Sequence, residues 1–144
     1  RGIEGARMKE TYALHAARIG IDWNGRRYDR GNPLAADLPN QALNHVASAV
    51  EAAAAIAVSA TATIPQLGFI HEDPGQSFVL DVADLYRDRL TIPVAFKAAK
   101  LARDRPAEPV ERQARRMIGA ALSREQVIPD MIARIKALIE GRNP

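Results

Sequence analysis

Cysteine is absent, which excludes disulfides and thiolate metal sites and suits a reducing cytoplasm. Aromatic residues are scarce, at 5% against 47% hydrophobic residues, and alanine makes up much of the difference. Small side chains favour close-packed helices over a β-sandwich. No basic-then-apolar leader opens the chain, so a secretory signal is not expected. A long apolar run occurs only at Ala47 to Ile64, and it is built of small residues with Ser, Thr and an embedded Glu51. That run is too weakly hydrophobic for a good membrane span, and it reads as a buried core helix. Charge of one sign is also in short supply. A net charge of +3 is compatible with nucleic acid without implying it.

What is present points to an all-α chain of 144 residues forming one domain. Helical periodicity runs from Ile3 to Gly20, a plausible C-cap. Ile21 to Asp37 is loop text, with Asn24-Gly25, Asn32-Pro33, Trp23 and Tyr28. Pro39 suits the first turn of a helix reaching about Ala60. Ile64 to Gly75 is a second connection, with Ile64 to Ile70 open to a locally extended form. Ser77 reads as the N-cap of a helix to about Arg87. Further helices are expected from Pro93 to Arg103 and from Val110 to Leu122. The last follows a Ser123–Gln126 capping box, with a kink at Pro129. The chain opens on arginine rather than methionine, which suggests part of something longer.

The chemistry concentrates in Gly68 to Arg87, GFIHEDPGQSFVLDVADLYR. His71 closes a glycine-containing loop, and Asp81 and Asp84 stand three residues apart on one face of a helix. Two readings are open from spacing alone: a solvated acidic face, or two carboxylates and an imidazole around a divalent cation. Basic residues cluster at Arg26, Arg27 and Arg30, at Lys97, Lys100, Arg103 and Arg105, and at Arg112, Arg115 and Arg116. Each cluster alone reads as a solvated face, whereas beside a carboxylate site it would meet phosphates. His15 and His45 read as ordinary helix residues.

Four stretches occur in register: RGIEG at Arg1 to Gly5, WNGRRYD at Trp23 to Asp29, GFIH at Gly68 to His71, and SFVLDVADL at Ser77 to Leu85. Together they resemble the C-terminal helical catalytic domain of the CRISPR-associated spacer-acquisition integrase Cas-one (Cas1), of the subtype I-E kind. The resemblance spans Arg1 to about Leu138. It implies a Mg²⁺- or Mn²⁺-dependent DNA endonuclease and integrase in which Glu4, His71 and Asp84 are metal ligands and Asp81 is a further acidic residue of the site. It also implies DNA contacts near Arg26, Arg27, Tyr28 and Arg87, with a generic phosphate role for Lys97 to Arg116, including Arg112 and Arg115. Arg87 has a second reading, as an ion-pair partner of Asp84 or Asp88.

The implied partners are protospacer ends, a CRISPR repeat, the companion protein Cas-two and a second copy of the full-length protein, in a prokaryotic cytoplasm. The family's N-terminal β-domain has no counterpart here. Glu4 falls in the first turn of its helix, so weak metal binding is expected of this chain. Leu80 stands where the subtype often carries an aromatic residue. The alternative class is a non-catalytic helical DNA-binding or assembly module with a structural acidic cluster.

Overall fold

The computed structural model describes residues 2–27, 31–32, 35–73 and 75–141, with the backbone alone for residues 2–4. Tyr28 and Arg30 therefore lie outside the described residues, as does the Glu4 side chain. The described residues form α1 (Gly2–Ile19), α2 (Leu38–Ala60), α3 (Ser77–Asp84), α4 (Ile92–Asp104), α5 (Val110–Arg124) and α6 (Val127–Ile139). A π-helical segment, Arg87–Thr91, joins α3 to α4. No strand occurs among the described residues, so the all-α expectation holds.

Helix α2 is the hub, packing against α3, α4, α5 and α6. Its start follows from capping: the Asp37 carboxylate accepts the Asn40 N–H, and Pro39 fills a first-turn position where no backbone donor is needed. Val46, Val50, Ala53, Ala54, Ala57 and Val58 are buried, as the apolar run predicts. Each fully buried valine is worth roughly 1.5–3 kcal/mol relative to exposure. By length and composition α2 is the one described helix that could cross a membrane, yet four helices cover it here. The facing helix α4 buries Ala95, Ala98, Ala99 and Ala102, small residues that let two backbones approach closely.

Helix α1 packs on α4 and ends at Gly20, whose φ of +78° is the left-handed C-cap conformation. Trp23 then folds back onto the helices. It stacks on Tyr12 at 5.0 Å and meets Phe96 at 5.1 Å, anchoring the loop that carries Arg26 and Arg27.

Four local expectations need correction. Ser77 is the first residue of α3, and its hydroxyl holds the preceding loop by donating to the Gln66 carbonyl. Helix α3 stops at Asp84 rather than Arg87, because the chain turns at Leu85–Tyr86 and widens into the π segment, where the Thr91 N–H donates to Tyr86 O at 3.1 Å. The Ser123–Gln126 capping box does not form. Ser123 lies inside α5, and Gln126 adopts φ +51° with no side-chain cap bond. Pro129 sits in the first turn of α6, where its missing N–H costs no helix bond, so it starts that helix rather than kinking it.

Candidate metal and DNA site

The loop before α3 is tied down at several points. Pro65 O accepts the Phe78 N–H at 2.8 Å, and the Gly68 N–H donates to Ser77 Oγ at 3.0 Å. Residue 68 must be glycine for this approach, since a Cβ there would meet the Ser77 backbone carbon at 2.7 Å. The Asp73 carboxylate accepts the Gly75 and Gln76 N–H groups, each at 2.8 Å, turning the chain into α3.

Asp81 organises the end of this loop. One carboxylate oxygen accepts the Phe69 and Ile70 N–H groups. The other accepts the His71 N–H at 3.1 Å and pairs with His71 Nδ1 at 2.6 Å. Its side chain is only 9% exposed. Burial pushes its carboxyl up, but the His71 ring and the three N–H donors outweigh burial and hold it below the usual value of 3.8. An ionised carboxylate can only accept, so Nδ1 carries the hydrogen. Nε2 on the other side of the ring faces Asp84 Oδ2, 3.6 Å away, and in the neutral imidazole it carries the lone pair a metal would take. A carboxylate behind an imidazole is the usual device for aiming the ring at a metal.

The His71 and Asp84 side chains are each about one-third exposed. Arg87 donates to the other oxygen of Asp84. Sequence reasoning gave Glu51 no role at the site, although it marked this residue as the charge inside an apolar helix. Its carboxyl is pushed up by burial and by the negative charge of Asp84, against the opposing influence of Arg87 and His71. Glu51 on α2 therefore shares the electrostatic field of the site, and a lone acid in an alanine-rich run was the available signal.

Among the described residues, no group of three or more His, Cys, Asp or Glu side chains is placed to hold a metal ion. The reason is geometric: Asp81 is turned to the amides and to Nδ1, which leaves His71 Nε2 and Asp84 as two donors facing each other. An imidazole nitrogen and a carboxylate oxygen suit Mn²⁺ or Mg²⁺ in kind, and a third donor from Glu4 would complete the expected set.

The expected DNA contacts divide. Arg26 bonds Asn40 Oδ1 at 3.0 Å, Asn44 Oδ1 at 2.7 Å and the Arg27 carbonyl at 3.1 Å, so it fastens its own loop. Buried Asn40 completes that fastening by donating to Gly25 O and accepting the Arg27 N–H. The Arg27 side chain is exposed. Arg112 and Arg115 are exposed on α5, beside Glu108 at 3.7 Å and Glu111 at 2.9 Å. Such exposed pairs are worth about 0–1 kcal/mol and yield readily to a phosphate.

No protein-family model matches the chain. Relatives at the sequence level do. The CRISPR-associated endonuclease Cas1 1 of Rhodospirillum rubrum is 39% identical over 137 residues, covering 91% of this chain and 44% of the relative. Cas1 2 of Thermus thermophilus is 38% identical over 141 residues, covering 98% of this chain and 42% of the relative. The chain belongs to the Cas1 family.

It spans less than half the length of these curated relatives. Cas1 of Escherichia coli is 39% identical over 109 residues, covering 76% of this chain and 35% of the relative. The fold agrees. A crystal structure of a TtCas1–DNA complex superposes with a TM-score of 0.86 at 37% identity, covering 97% of this chain and 51% of that one. A structure of TtCas1 gives a TM-score of 0.78 at 34% identity, covering 92% of this chain and 48% of that one. The helical architecture of this Cas1 chain is thus the one the sequence resemblance implied.

Proposed function

We propose that this chain carries the catalytic part of a divalent-metal-dependent DNA endonuclease and integrase that inserts spacers into CRISPR arrays. The observation that supports it is the clamp at Asp81, which fixes His71 with Nε2 turned toward Asp84 at 3.6 Å. His71, Asp84 and Glu4 would hold Mg²⁺ or Mn²⁺. When bound, the ion supplies acidification of an attacking hydroxyl and neutralisation of the phosphate.

The chain's own residues do the positioning. Asp81 keeps the ring in one tautomer and orientation. Arg87 holds Asp84 on the side away from His71, and its guanidinium is half-exposed and open to a strand phosphate. The sequence offers no cysteine for a covalent intermediate, and the described residues show no serine–histidine pair. Direct in-line attack of a DNA 3′-hydroxyl on a phosphodiester is therefore the simplest course: the new P–O bond forms as the bond to the departing 3′-oxygen breaks. That a structural relative is a TtCas1–DNA complex supports the substrate class. Protospacer ends, a CRISPR repeat, the companion Cas-two, a homodimer of the full-length protein and a prokaryotic cytoplasm complete the proposal.

Asp84→Ala tests it. Mn²⁺-dependent cleavage and strand transfer should fall by at least about 100-fold, the scale set by removing one group that acts in the transition state. DNA binding should change little. Unchanged cleavage in a folded variant would overturn the assignment.

A further inference from the structure

Between α1 and the start of α4 lies an open groove of about 510 Å³, lined by Thr11, Leu14, His15, Arg18, Ile19, Asp88, Arg89, Pro93 and Lys97. Its charges are unevenly compensated. Asp88, the one acid in it, is bonded by His15 Nε2 at 2.7 Å, which joins α1 to the π segment. Arg89 is held by Asp130 at 2.9 Å. Arg18 and Lys97 are exposed, and among the described residues neither pairs with a carboxylate. Just beyond them, Lys100 donates to the Ile19 carbonyl at 2.8 Å and Arg103 to the Gly20 carbonyl at 3.3 Å. These two cations cover the carbonyl end of α1, where positive charge is favoured; Lys100 adds to the basic field of the groove, whereas Arg103 is also paired with Asp104 at 3.0 Å.

The groove lies close to the candidate site along the chain. Asp88 in its lining follows Asp84 by four residues, across the turn at Leu85–Tyr86 and into the π segment that leads to α4 and Lys97. Unpaired cations in an open, mixed polar and apolar trough suit a polyanion that passes along it rather than a compact ligand. We propose that the α1–α4 groove carries the backbone phosphates of the DNA strand leading away from the metal site, with Arg18 and Lys97 as phosphate-contact residues. The inference rests on the DNA-processing reading of the site.

The test is the salt dependence of binding. Each phosphate contact contributes about 0.9 to the slope of log K against log salt concentration, so Arg18→Gln with Lys97→Gln should lower that slope by about 1.8. The probe is a duplex long enough to leave the site, with circular dichroism verifying the fold of each variant. Arg124→Gln with Lys136→Gln removes the same charge from exposed positions outside the groove and should leave the slope within about 0.5 of the parent. A parent slope retained by the groove variant, or an equal drop in both variants, overturns the groove assignment and leaves the DNA-processing reading standing. Failure of the unaltered chain to bind DNA at all would instead remove the reading on which it rests.

Discussion

Two carboxylates in this molecule, Asp81 and Asp130, each gather several donors, and they differ in what those donors carry. Asp130 Oδ2 accepts the Tyr86 phenol at 2.7 Å, Arg89 at 2.9 Å and Arg134 at 3.1 Å. Two guanidinium charges face one carboxylate, and Arg89 also lies over the Tyr86 ring at 4.5 Å. This cluster bolts the π segment to α6 with its charge neutralised. Asp81 draws instead on three backbone amides and a ring nitrogen. Hydrogen bonds of that kind stabilise its negative charge without cancelling it. Asp84 and Glu51 add to the same field, against the guanidinium of Arg87. Both carboxylates are equally well satisfied, yet only the neighbourhood of Asp81 retains an electrostatic deficit that a divalent cation would fill.

The comparison breaks most visibly at Asp81. Asp81→Asn should cost about 1–3 kcal/mol in a urea melt, because the amide keeps one acceptor oxygen and turns an N–H group toward the donors that the other oxygen served. The same change should weaken Mn²⁺ binding about 10–100-fold by calorimetry, the usual cost of losing the carboxylate behind a metal-binding imidazole. Loss of stability with unaltered Mn²⁺ affinity would make Asp81 a loop anchor only. Gly68→Ala attacks the same loop from its other end. Contact with the Ser77 backbone should cost about 1–3 kcal/mol and weaken Mn²⁺ binding together with stability, read in the same two measurements.

On the neutralised side, Tyr86→Phe should cost about 1 kcal/mol with no effect on Mn²⁺ affinity. A drop in that affinity would couple two regions that the charge argument separates. The same cluster also makes stability depend on pH. The Tyr86 phenol is pushed up to about 12 by burial and by Asp130. The unfolded phenol ionises first, so stability should decline as pH rises from 10 to about 12 and level off above, a decline that Tyr86→Phe removes. At the acid end, the hydrogen bond from Tyr86 holds Asp130 below 3.8, against burial and with help from Arg134, and Asp81 is likewise depressed. Their contributions are complete above pH 3.8 and disappear as pH falls through the lower folded values, observable as an acid shift in melting temperature.

Much of this architecture follows from local rules. Alanine-rich periodicity predicts helices, Pro39 and Gly20 mark a start and a stop, and GFIH with DVAD marks the neighbourhood of the site. Those signals act over a few residues, so the chain alone displays them. The helix joints were less legible. The π segment at Arg87–Thr91 and the left-handed Gln126 depend on how α3, α4, α5 and α6 must meet, and tertiary packing overrides local preference at such points.

The sequence by itself determined the helical class, the family resemblance and the residues His71, Asp81 and Asp84 as one constellation. Tertiary structure alone decided their division of labour. Spacing along α3 makes Asp81 and Asp84 equivalent neighbours, but the folded loop delivers three amides and a ring nitrogen to the first and leaves the second facing the free side of the ring. It also decided that Glu51, remote in sequence, lies in the same field, because charges interact across space whatever their separation along the chain.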